Sequence, residues 1–255
     1  MKCLLGAMLA LLLALTGFLI VAGYFDREVF VPVPATGTPI PRRARLAVVY
    51  VSGDVGYRIA MGSAIGSRLA ADGIPVLAVN SLAYFRQHRS LTEVSALTAE
   101  AIRKALAFGH ADKVVLIGHS LGADALQASL PGLAPALRAK VQGVVLIVPT
   151  NTLYLQISLG EMLDWGKPDG PTLPTLRQLD WAPLTCIYGA DETDSPCPLL
   201  PGKNVRRVPL PGGHALDWDM HAVHAAVLGG IDASAPRKAL QEFQEPLIQL
   251  SAKAR

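Results

Sequence analysis

The chain has 255 residues, 51% of them hydrophobic and 17% charged, with a formal net charge of +3. That apolar fraction excludes intrinsic disorder, and so small and dispersed a charge excludes a nucleic-acid partner. The length suits one domain with an appendage.

Residues 3–25 carry no charge, and the run stops at Asp26. As a helix it would reach roughly 34 Å at about 1.5 Å per residue, enough to cross a bilayer. With Lys2 ahead of it, the segment 1–25 reads as a signal peptide, with Val21-Ala22-Gly23 as a small-residue cleavage signature, or as a membrane anchor. Either way the charge asymmetry leaves the N-terminus inside and puts the body of the protein outside the cytoplasm. Residues 26–45, with four prolines between 30 and 41, read as an extended linker, and the domain is expected over 46–255.

From there short apolar runs alternate with helical patterns. Strands are expected over 46–52, 75–80, 113–117, 144–148, 185–188 and 205–209, and helices over 60–71, 92–108, 123–130 and 221–228. Val94, Leu97, Ala101, Ala105 and Phe108 form one stripe of the longest helix. Such alternation predicts an α/β fold, a mostly parallel sheet covered by helices on both faces. Residues 149–183 are rich in Pro, Gly and Leu and read as an excursion over one end of the sheet, and the tail from 233 is polar.

The strongest chemical signal is Gly118-His119-Ser120-Leu121-Gly122, a G-x-S-x-G between a strand and a helix. A serine on such a sharp turn projects its hydroxyl above the sheet and aims the next amide, that of Leu121, at a developing oxyanion. Ser120 is therefore the candidate nucleophile. A base should follow the last strand, where Pro211-Gly212-Gly213 leads to His214. His88 and His110 precede the nucleophile, and His221 and His224 fall on a helix, where they read as surface residues. The orienting acid should lie between, and Tyr188-Gly189-Ala190-Asp191-Glu192-Thr193-Asp194-Ser195-Pro196 offers three carboxylates. The spacing from Gly189 to Glu192 and on to Pro196 favours Glu192, with Asp194 a rival and Asp191 a weaker one. The second oxyanion amide is expected from Asp54 or Val55, in the loop Ser52-Gly53-Asp54-Val55-Gly56. No Gly-Lys-Ser/Thr follows that loop, which argues against a phosphate cradle.

Cys3 lies in the apolar segment, leaving Cys186 and Cys197 as an even pair. In an exported chain that pair predicts a disulfide. Neither cysteine has a histidine pattern nearby, so no zinc site, and no cofactor, is expected.

Five segments in order resemble the AcvB/VirJ family of bacterial virulence-associated α/β-hydrolases. They are Ser52-Gly53-Asp54, Asn80 to Phe85, Gly118 to Asp124, Cys186 to Gly189 with Glu192, Asp194, Ser195 and Cys197, and Pro211 to His214. The resemblance covers about 46–230. It implies a periplasmic, membrane-associated hydrolase of lysyl-phosphatidylglycerol, with links to type IV secretion proteins as possible partners. On that reading Asp54 and Asp124 are candidates to meet the ammonium of the lipid substrate. The chain departs from the family pattern at Val55-Gly56-Tyr57, at His119 and Leu121, and at Ala215.

Overall fold

The computed structural model describes residues 2–158 and 166–235; the expected polar tail from 236 onward lies outside them. The first helix, α1, is Lys2–Ala22. Strands follow at Phe30–Val33 (β1), Leu46–Val51 (β2), Val76–Val79 (β3), Lys113–His119 (β4) and Val141–Ile147 (β5). A small hairpin, Thr152–Leu153 (β6) with Gly170–Pro171 (β7), precedes Leu184–Gly189 (β8) and Val205–Leu210 (β9). The main sheet runs β1-β3-β2-β4-β5-β8-β9, all parallel except β1.

Side chains alternate along each strand, so each run feeds two cores. Val49, Val51, Leu116 and Leu146 face one side and pack under α4 (Leu91–Phe108) and α5 (Leu121–Ser129). Val48, Tyr50, Ile117 and Ile147 face the other, under α2 (Ala60–Ala71) and the closing helix Met220–Ala233. The α4 start is fixed by a capping box, Ser90 taking the amide of Glu93 while Glu93 reaches back to Ser90.

The expected linker is corrected. Phe30–Val33 pairs antiparallel with β3, Pro32 opposite Leu77, and so belongs to the sheet. Proline is tolerated there because an edge strand needs no donor on its outer side. Further along, Arg42 and Arg43 both fork onto Asp232 of the closing helix, at 2.7 and 2.8 Å. Residues 26–45 are therefore part of the domain rather than a spacer in front of it.

Candidate active site

All the expected site residues gather at the carboxyl edge of the parallel strands. Ser120 sits between β4 and α5 with φ 52° and ψ −126°, left-handed backbone that a non-glycine residue adopts only when its surroundings impose it. The two glycines make that turn possible. A Cβ on Gly118 would stand 2.5 Å from the Ala123 Cα, and one on Gly122 would overlap the carbonyls of Val51 and Ser52. Ser120 Oγ lies 2.9 Å from His214 Nε2, and His214 Nδ1 lies 2.5 Å from Glu192 Oε1.

The acid and base loops are held in register by the backbone. Beyond the β8–β9 ladder, Ala190 N donates to Leu210 O at 2.7 Å and Asp191 N to Gly212 O at 3.0 Å. Glu192 N turns back onto Gly189 O at 3.0 Å, so the acid loop is a turn and not an extended segment. That turn decides between the carboxylates. The Glu192 side chain is 5% exposed and reaches the imidazole, whereas Asp194 accepts from Asn151 Nδ2 at 2.9 Å and Asp191 is exposed. The rival assignment of Asp194 as the orienting acid is overturned. Cys186 and Cys197 are bonded, as expected, and brace the same turn.

The Leu121 amide opens α5, where a first-turn N–H has no partner within its helix. In the facing loop Val55 N is taken by Asp54 Oδ1 at 3.0 Å. Val55 is thereby withdrawn as an oxyanion donor, because an Asp side chain competes for the amide next to it, and Asp54 N is left. The loop is pinned to the end of β3 by buried serines: Ser81 N donates to Ser52 Oγ at 3.0 Å, and Ser81 Oγ to Ser52 O at 2.6 Å.

A cavity of about 540 Å³ opens over Ser120 and His214, walled by Leu121, Ile157, Asp54 and Asp194, with Asp124 at its base. Asp124 is 3% exposed, and its oxygens face Thr150 N at 3.0 Å and Thr150 Oγ1 at 2.8 Å. Burial pushes its carboxyl well above the usual range, and Asp194 and Glu192 push it the same way. The Thr150 amide and hydroxyl both donate to this carboxyl and pull the other way, and the same hydroxyl lies 2.9 Å from Thr152 O. Asp124 thus ties the loop after β5, and the expectation that it meets a substrate ammonium is corrected. Burial, followed by the nearby His214, pushes the His119 imidazole down to about 4. Among the described residues no group of three or more His, Cys, Asp or Glu could hold a metal ion.

Sequence reasoning missed Thr150, Thr152, Tyr154, Gln156 and Ile157, which line the cavity from the 149–183 excursion. Their only signal was the weak periodicity of a segment crossing the end of the sheet. His224, expected at the surface, is half-buried and lies 2.7 Å from Asp72 of the turn after α2.

A family model described as bacterial virulence protein (VirJ) matches residues 45–235. The chain belongs to the VirJ family. No curated protein sequence matches this VirJ-family chain. Solved structures share its α/β-hydrolase fold at low identity. One is a lipase-esterase related protein from Clostridium acetobutylicum, 13% identical with a TM-score of 0.56 over 79% of this chain and 99% of that one. Another is Est1E from Butyrivibrio proteoclasticus, 13% identical with a TM-score of 0.54 over 80% and 94%. A third is MenH from S. aureus, 9% identical with a TM-score of 0.54 over 82% and 99%.

Proposed function

We propose that this VirJ-family chain is an exported serine hydrolase of an aminoacyl-lipid ester, with lysyl-phosphatidylglycerol as its substrate. The observation that carries the reading is the unbroken relay from Ser120 Oγ through His214 to Glu192, at 2.9 and 2.5 Å. Ser120 Oγ attacks the ester carbonyl while His214 Nε2 takes its proton, and Glu192 holds the imidazole in the tautomer that can do so. The Leu121 and Asp54 amides receive the oxyanion. Phosphatidylglycerol leaves with the proton from His214, and a water deprotonated by the same nitrogen then frees lysine from Ser120. Asp54 and Asp194, on the cavity wall, complement the ammonium groups of a lysyl ester better than a neutral or anionic acyl group. The family's description as a virulence protein and the apolar α1 support an exported location, and secretion proteins are proposed as partners on the family resemblance alone.

A fluorophosphonate probe and lysine release from vesicles of lysyl-phosphatidylglycerol test this together. Labelling that Ser120→Ala abolishes, with release of lysine, is expected. Labelling without release would point to another ester, and no labelling would point to a non-catalytic accessory protein.

A further inference from the structure

Helix α1 ends inside the domain. Ala22 and Gly23 are buried, and the fully buried Asn80 side chain donates from Nδ2 to Ala22 O at 3.3 Å and Gly23 O at 3.2 Å. Through Oδ1 the same amide accepts from Tyr57 N at 3.2 Å. One side chain at the end of β3 therefore ties the root of α1 to the segment that follows the Asp54 loop. Gly56 closes the join, since a Cβ there would stand 2.9 Å from Ala22 O and 2.6 Å from Asn80 Oδ1. Arg86 adds a further tie, donating from Nη1 to Tyr24 O at 2.7 Å. Ala22 also belongs to one packed cluster with Leu153, Leu155 and Ile157, and Ile157 is part of the cavity wall. Cleavage at Val21-Ala22-Gly23 would cut through this root and take acceptors from a buried amide. A disposable leader has no part in satisfying the core of the domain it precedes.

Among the described residues the helix packs on almost nothing away from its root: the span Leu5–Ala22 is 6% buried, with Leu5, Leu9, Leu12 and Leu15 all exposed. A helix apolar all round and this long matches a bilayer rather than a one-sided protein groove. Just past the root come Tyr24 and the exposed Phe25, then Arg27, with Arg58 beside Asp26 at 2.7 Å, the residue types that settle at a lipid–water boundary. Trp218, on the loop after His214 at the same edge of the sheet, is 63% exposed.

We infer that α1 is retained as a membrane anchor, and that its root, Phe25 and Trp218 seat the cavity-bearing edge of the sheet on the bilayer surface, so that a lipid ester is drawn directly from it. The consequence for substrate rests on the proposed hydrolase function; the docking itself does not.

The full chain, produced in a bacterial host with its own first residues, is purified and placed in vesicles of phosphatidylethanolamine and phosphatidylglycerol. Its intact mass should include Lys2–Ala22, and a chain beginning at or after Ala22 would overturn the proposal. Brominated lipid should quench an emission component that Trp218→Phe removes; identical quenching in both proteins would overturn the docking. A flexible Gly/Ser insert of about twelve residues between Val21 and Ala22 leaves the root seated but adds roughly 20 Å of slack. Hydrolysis of the vesicle ester should then fall by about tenfold while a soluble ester is turned over as before, because only the membrane-bound substrate depends on the tether. Equal rates on the vesicle ester would overturn the orientation. A stable dimer in detergent that is lost with α1 would make a second copy the occupant and refute the lipid. If neither ester is hydrolysed the serine-hydrolase reading fails, and mass and quenching still decide the anchor.

Discussion

Reduction of Cys186–Cys197 isolates one brace of the site. Both sulfurs are fully buried, one in β8 and one just past the acid turn, with a sequence separation of 11. The closed loop carries Glu192, whose carboxylate must stay 2.5 Å from His214 Nδ1. Chain entropy for a loop of that size gives about 2.8 kcal/mol at 25 °C. For a domain of this length each kcal/mol moves the melting point by about 2–4 °C, so reduction should lower Tm by roughly 6–11 °C. Turnover should fall as well, by up to about 10²-fold, because a 1 Å misplacement of a catalytic group costs that much. The assay is calorimetry and ester turnover on oxidised protein and on protein reduced in mild denaturant and returned to buffer with reductant. Alkylation confirms the state: Cys186 and Cys197 should label only after reduction. Coincident melting curves, or both cysteines alkylated in native oxidised protein, would refute the argument.

Four other perturbations separate roles in and around the site. Ser120→Ala and His214→Ala should each lower kcat by several orders of magnitude, and the double variant should be little worse, since the residues act as one unit. Glu192→Gln should cost about 10⁴-fold in kcat through the wrong imidazole tautomer, with Asp191→Asn mild; an active Glu192→Gln would discredit the relay. Asp194→Asn should raise KM for a cationic ester while leaving a neutral ester unchanged, and a matching loss on both would remove Asp194 from recognition. For His119 the folded chain holds the imidazole at about 4 against 6.5 when unfolded, so the unfolded state binds the extra proton between those values. Stability is therefore present above pH 6.5 and lost as pH falls toward 4, by about 3 kcal/mol, and His119→Gln should flatten that slope in urea titrations at both ends.

Much of the architecture was legible because periodicity and chemistry agreed locally. The helix over 60–71 has the expected ends, and the strands differ from expectation by a few residues at their termini. Gly118 and Gly122 fit a turn in which neither position has room for a Cβ. What escaped was decided by distant neighbours. Pro32 and Pro34 hid β1, because only the sheet order reveals that its outer side needs no hydrogen bonds. Asp54 and Asp124 are alike in sequence as acidic candidates and both line the cavity, yet Asp124 is desolvated there and held by Thr150. Spacing favours Glu192, but the reason it wins over Asp194 is a turn closed onto Gly189. Asn80 gave no hint of its role, since its acceptors lie in another segment of the chain.

The pairing of β1 with β3 also sets an order of assembly. Among the described residues β1 is the earliest strand in the chain, and its one sheet neighbour there follows both β2 and α2. Until Val76–Val79 has been made and laid against β2, Phe30–Val33 is an unsatisfied extended segment, the kind that pairs with another chain. Pro32 within it, and Pro34 just beyond, withhold the donors that such mispairing would use. The strand made first is thus among those seated late, and its prolines protect it during the wait.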